Sequence, residues 1–217
     1  MAGSAPVTVG MFGSTSNRYG SVAGPKGLSV LALDPGETTG WAWAVVSYRE
    51  LGFVWDGSWA WSELFARVID GGRLESGQME VYRGPMSASS NAVKTLQQEA
   101  HFAREIGGLV NDLHLRSKAR SGGKICQVTD LVIEDFVLRE QTKSRNLLAP
   151  VRLTAAIAQE VFTDQKLIGI SIQSPSDAKS AVTDERLKAL GLYVRGQQHA
   201  RDALRHLALF LRRLNPD

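Results

Sequence analysis

Four side chains on three separated stretches have the types that metal-assisted chemistry needs: Asp34, Glu134, His199 and Asp202. Carboxylates with one imidazole suit magnesium, or manganese in its place, better than structural zinc. Two such ions about 4 Å apart can activate a water, stabilise a leaving oxygen and clamp a phosphodiester for in-line attack, so the set implies phosphoryl transfer. Lys143, Arg145 and Lys179, with Arg139 and Arg152, are cations that can grip phosphate, although each is equally at home on a solvated surface.

These side chains need elements to hold them. Leu28 to Leu33 is an apolar, strand-forming run that stops at Asp34, and Pro35-Gly36 then forces a turn that no helix survives. Gly40 to Val46 reads as a second strand in an antiparallel hairpin with the first, Gly36 and Gly40 shaping the hairpin. Met79 to Tyr82 reads as a third strand. Between them, residues 49–75 hold Trp55, Trp59 and Trp61 and a helix-like stretch from Ser62 to Ile69, and the tryptophans read as core packing rather than a base-stacking platform.

Apolar residues from Val93 to Leu113 recur at three- and four-residue spacing, which predicts a long helix from about Ser89 to Ser117. Gly107-Gly108 would weaken it by about 1 kcal/mol per glycine, marking close packing or a kink. A basic loop from Arg116 to Lys124 follows, then a strand from Asp130 to Leu138. Burying Glu134 or Asp135 without a partner is expensive, so a nearby cation is the natural compensation, and alternation lets only one of the two share a site with Asp34.

A helix over 147–162 and a strand over 168–172 lead to Ser174-Pro175-Ser176-Asp177, with Ser174 as N-cap, Pro175 opening the helix and Asp177 closing a capping box. Thr183 to Leu190 is a further short helix. On the last helix, about Gln198 to Leu214, His199, Asp202 and His206 fall within a sector of about 60°, so an imidazole and a carboxylate can converge beside the core stripe. The element order indicates an α/β domain with a mixed sheet.

Taken together, Leu-Asp-Pro-Gly-x-Thr-Thr-Gly-Trp, a strand ending Val-Ile-Glu, Pro-Ser-Asp-Ala-Lys-Ser-Ala-Val-Thr and His-x-x-Asp-Ala-Leu resemble the RuvC family of Holliday-junction resolvases, in the family's order over about 28–214. The resemblance implies an RNase H-like fold, a mixed five-stranded sheet flanked by helices. It further implies a homodimeric, magnesium-dependent endodeoxyribonuclease that nicks two opposed strands of a four-way junction. Asp34, Glu134, His199 and Asp202 match its metal-binding catalytic positions, and Lys179 matches a lysine that holds junction DNA near the cut. The 52–72 segment is longer than the family's hairpin connection. Phe136, a candidate DNA contact, follows Glu134 by two where the family often has an aromatic at three. Such departures fit a divergent, phage-encoded member.

Three rivals remain. Asp-x-Gly-x-Thr after a strand also occurs in the ATP-binding loop of the actin and sugar-kinase superfamily, but 217 residues are too few for its two lobes and no second phosphate loop is present, so no nucleotide cofactor is expected. A junction-binding module without catalysis would not need all four site residues. A related nuclease acting on flaps or RNA–DNA hybrids would share them.

Composition fits this picture. Residues 113–217 carry 17 Lys/Arg against 11 Asp/Glu, residues 1–112 carry 8 against 11, and a basic C-terminal half suits a polyanion. The single Cys126 excludes an internal disulfide and a thiolate zinc cluster, so a reducing cytoplasm is expected, a bacterial one by the resemblance. No apolar run approaches the roughly 18 residues of a membrane span. Residues 1–27 read as a flexible Gly/Ser-rich tail before one domain over 28–214, with an addition at about 49–75.

Overall fold

Strand β1 (Gly27–Asp34) is buried along its whole length, as a central strand covered on both faces must be. The computed structural model describes residues 26–82, 92–125, 127–136, 148–164 and 169–214. β1 pairs antiparallel with β2 (Thr38–Ser47), Asp34 lying opposite Gly40, and β2 pairs antiparallel with β3 (Leu74–Glu80). On its other side β1 runs parallel to β4 (Asp130–Glu134), which runs parallel to β5 (Gly169–Gln173). The order β3-β2-β1-β4-β5 is the mixed five-stranded sheet expected from the sequence.

Alternation along β1 feeds two cores. Leu28, Val30 and Ala32 face α7 (Gln198–Arg213), together with α1 (Tyr48–Trp55), α2 (Trp61–Asp70), α5 (Pro175–Ala181) and α6 (Asp184–Ala189). Leu31 and Leu33 face α3 (Ala92–Arg120) and α4 (Ala149–Asp164). Helices therefore cover both faces of the sheet. None of the described helices is long and apolar enough to cross a membrane.

Several boundaries differ from the sequence reading. β3 starts at Leu74 rather than Met79, because an edge strand needs little apolar character and Leu-Glu-Ser-Gly-Gln-Met-Glu gives no hydrophobic signal. α3 continues through the expected loop at Arg116 as far as Arg120. It also continues through Gly107-Gly108, where a methyl group on Gly107 would stand 3.1 Å from Glu160 Cγ on α4; close packing is the reason for that glycine. β4 ends at Glu134, shorter than the strand expected to Leu138, and 137–147 lie outside the described residues. Of the expected tail over 1–27, residues 1–25 lie outside them too, whereas Gly27 already opens β1.

The 49–75 stretch forms α1 and α2. Ser47 caps α1 in a reciprocal box with Glu50, whose carboxylate also takes both terminal nitrogens of Arg73 at 2.7 and 2.8 Å. Trp55, Trp59 and Trp61 pack half-buried against the α7-side core, Trp59 between Phe53 (ring centroids 4.7 Å apart) and the Arg67 guanidinium (4.2 Å). They are packing material, as expected. Ser174 does hold the N-cap position before Pro175, but its hydroxyl bonds Ser176 at 2.6 Å and makes no capping bond. Asp177 pairs with Arg213 instead of closing a capping box.

Arg152 is likewise not a loop cation. It sits on α4 and its guanidinium holds Glu99 of α3, 2% exposed, at 2.6 Å; the Tyr82 hydroxyl donates to the same carboxylate at 2.6 Å. Burial and the Glu99 charge push the Tyr82 phenol well above its ordinary range.

A buried polar relay sits in the core beneath α3 and α4. The Trp43 indole N–H donates to Ser29 Oγ (2.9 Å), Ser29 Oγ lies 2.7 Å from Ser117 Oγ, and Ser117 donates to the Leu113 carbonyl. Ser29→Ala leaves the indole N–H unpaired in an apolar core. It is expected to cost about 1–3 kcal/mol, read as a lower urea midpoint at unchanged slope.

Candidate functional site

The same alternation that builds the cores places the acids. Ala32 and Val132 face α7, so Asp34 and Glu134, two residues on, end their strands on that face. Leu33 pairs with Ile133 in the parallel register, which brings the two carboxylates side by side at the sheet's rim. α7 lies across this face and presents His199 in its first turn, then Asp202 and His206.

Its approach depends on Gly40. A methyl group there would overlap the main-chain carbonyl of His199 and stand 2.9 Å from the nitrogen of Ala200. Gly40 is therefore the seat of α7's first turn, within a regular strand, rather than a hairpin-shaping turn residue.

His199 Nδ1 lies 2.9 Å from Asp34 Oδ2, its side chain 40% exposed. Burial, and next the charge of Glu134, push the Asp34 carboxyl up from 3.8 to about 6; the His199 contact opposes this and Asp202 adds a smaller upward push. Asp202 is buried and held by Arg205, which also grips Asp184, while Lys179 Nζ stands 3.6 Å from the other Asp202 oxygen. Glu134 Oε2 lies 2.7 Å from His206 Nε2, and His206 Nδ1 is 3.0 Å from Gln173 Oε1.

Asp34, Glu134, His199, Asp202 and Lys179 are thus gathered at one end of the sheet. Each acid is closed on a basic partner: Asp34 on His199, Glu134 on His206, Asp202 on Arg205 and Lys179. Among the described residues no three His, Cys, Asp or Glu side chains form a ready metal group. Phe136 is half-buried just beyond β4, whereas Lys143 and Arg145 lie outside the described residues. The sequence reading left His206, Gln173 and Arg205 out of the site. For His206 the signal was present, since it shares the sector of His199 and Asp202; Gln173 carried none beyond its place at a strand end.

No protein-family model matches the chain, and no curated protein does. Among solved structures it is similar to Thermus thermophilus RuvC in complex with a Holliday junction substrate, at 13% identity and a TM-score of 0.48 over 86% of this chain and 96% of that one. It is also similar to a second Thermus thermophilus RuvC structure, at 16% identity, the same TM-score and the same coverage.

Proposed function

We propose that the chain is a magnesium-dependent endodeoxyribonuclease that resolves four-way DNA junctions as a homodimer, by paired symmetric nicking. One observation carries the reading: two strand ends and one helix flank gather Asp34, Glu134 and Asp202 at one rim, and burial first, then the charge of Glu134 and to a smaller extent that of Asp202, penalise Asp34's ionised form. A divalent cation relieves such a penalty. The donor set of three carboxylates and an imidazole fits a hard cation, and the four motifs that resemble those of junction resolvases favour branched DNA as the substrate.

Asp34, Glu134, Asp202 and His199 would hold the metal, manganese serving in place of magnesium. When bound, it supplies Lewis-acid stabilisation of the phosphodiester and a more acidic water. The remaining roles belong to the chain. Lys179, 52% exposed beside Asp202, contacts a backbone phosphate near the cut. His199 keeps Nε2 clear of partners among the described residues, so with Nδ1 on Asp34 this is the nitrogen that would meet the metal.

The test is cleavage of labelled four-way, flap, RNA–DNA hybrid and linear duplex substrates with magnesium. The expected result is symmetric paired nicks in the four-way junction; equal activity on linear duplex would overturn the junction reading, and preference for flaps or hybrids would move the chain to the related nuclease class. Lys179→Ala should slow junction cleavage about tenfold and flatten the salt dependence of binding by about one unit. An unchanged salt slope would remove Lys179 from the DNA contact.

A further inference from the structure

Helix α7 buries a histidine where its apolar stripe would accept leucine. His206 is 1% exposed, between Leu204 and Leu207 on a helix whose inward face is otherwise aliphatic, and a polar ring there is costly unless both nitrogens are satisfied. They are satisfied by two strand ends. Nε2 meets Glu134 on β4, and Nδ1 meets Gln173 on β5, itself 4% exposed. Glu134 and Gln173 are register partners, and the next turn of chain is fixed by the Asp135 N–H on the Gln173 carbonyl at 2.7 Å.

We infer that His206 is the positioning residue for Glu134: backed by Gln173, it pins one carboxylate oxygen of Glu134 so that the other is presented to a divalent cation. The inference rests on the proposed metal site. A free glutamate at a strand end has several side-chain torsions to lose before it can act as a ligand. A ring N–H on Oε2 removes that freedom in advance and leaves Oε1, which has no hydrogen-bond partner among the described residues, open. The arrangement differs from the one at Asp202, whose carboxylate is held by the cations Arg205 and Lys179. Any buried histidine needs partners for its nitrogens; here one of those partners is a carboxylate of the candidate site.

The experiment titrates Mn2+ into the full chain by calorimetry, alongside thermal melting and junction cleavage, for the natural chain, Asp34→Asn, His206→Leu, His206→Gln and Gln173→Met. His206→Leu should keep the melting temperature within a few degrees while weakening Mn2+ binding about 10- to 100-fold. His206→Gln, whose amide can return an N–H to Glu134, should restore most of that affinity, which a purely structural role would not produce. If His206→Leu fails to fold, Gln173→Met carries the test, with a smaller loss in the same direction expected. Unchanged Mn2+ affinity in His206→Leu or, failing that, in Gln173→Met overturns the inference, as does a Gln variant no better than Leu. Asp34→Asn separates the two levels: if it binds Mn2+ like the natural chain, the metal site and this inference fall together. If only Asp34→Asn loses binding, the site stands and this inference alone falls.

Discussion

At pH 8, Asp34→Asn should melt a few degrees higher than the natural chain while cleaving a four-way junction at least about a thousandfold more slowly. Both effects have one origin. Burial and Glu134 lift the Asp34 carboxyl from 3.8 to about 6, so the folded chain binds this proton more tightly than the unfolded one. Such a group contributes stability that is fully present below the unfolded value and is lost as pH rises through about 6. Above that, the ionised carboxylate opposes folding by an amount on the order of 3 kcal/mol at most, at about 1.4 kcal/mol per pH unit. Asparagine keeps the shape without the charge. It forfeits part of the His199 contact, so the net gain is smaller, and a few degrees is the expected shift for a chain of this size. At pH 4 and below, Asp34 is protonated in the folded chain and the two melting temperatures should converge.

The loss of cleavage follows from removing a proposed cation ligand, a term worth several kcal/mol in the transition state, where about 4 kcal/mol corresponds to a thousandfold. Calorimetric melting at pH 4 and 8, with nicking assays at pH 8, reads both. For the natural chain, Mn2+ binding should weaken as pH drops through about 6, where the metal-free Asp34 takes up its proton. An Asn variant that melts lower at pH 8 would show that Asp34 is a settled ion-pair member, not a strained ligand.

The centre of the sheet was readable because its residues obey one rule at a time. β1 is apolar without interruption since both faces are covered, and Pro35-Gly36 ends it at Asp34, so strand, turn and acid follow from local chemistry. The α7 flank was readable for the same reason: a single helix period places His199, Asp202 and His206 together. What stayed hidden depends on pairs of distant segments. The polar β3 is a strand only because β2 offers it an edge. Arg116 and Arg120 stay helical, Arg116 pairing with Asp112 one turn back and with Glu75 on β3, and the contact to β3 is not signalled by the local Arg/Gly/Ser composition. The bridge from His206 to Glu134 and Gln173 joins three elements, and no spacing rule within one of them can reveal it.

Gly40 belongs to that hidden class, and Gly40→Ala should lower both stability and cleavage sharply. Its backbone is ordinary strand with no left-handed φ, so alanine is locally acceptable and even favoured. The penalty comes from across the interface. A methyl group would occupy the space of the His199 carbonyl, which is main chain and cannot rotate away as a side-chain tip can. Either β2 bends or the first turn of α7 lifts, with an overpacking cost of about 1–3 kcal/mol or more. Because Gly40 is the register partner of Asp34, the lifted turn is the one that carries His199 on its 2.9 Å contact. A displacement of about 1 Å at reacting groups can cost about a hundredfold in rate, so cleavage should fall at least that far even at temperatures where the variant is fully folded. Gly52→Ala supplies the control: nothing lies within 4 Å of its added methyl, and on α1 it should gain up to about 1 kcal/mol without altering cleavage. A Gly40→Ala chain that melts and cuts like the natural one would mean that α7 does not seat on β2, and that His199 reaches Asp34 by some other path or not at all.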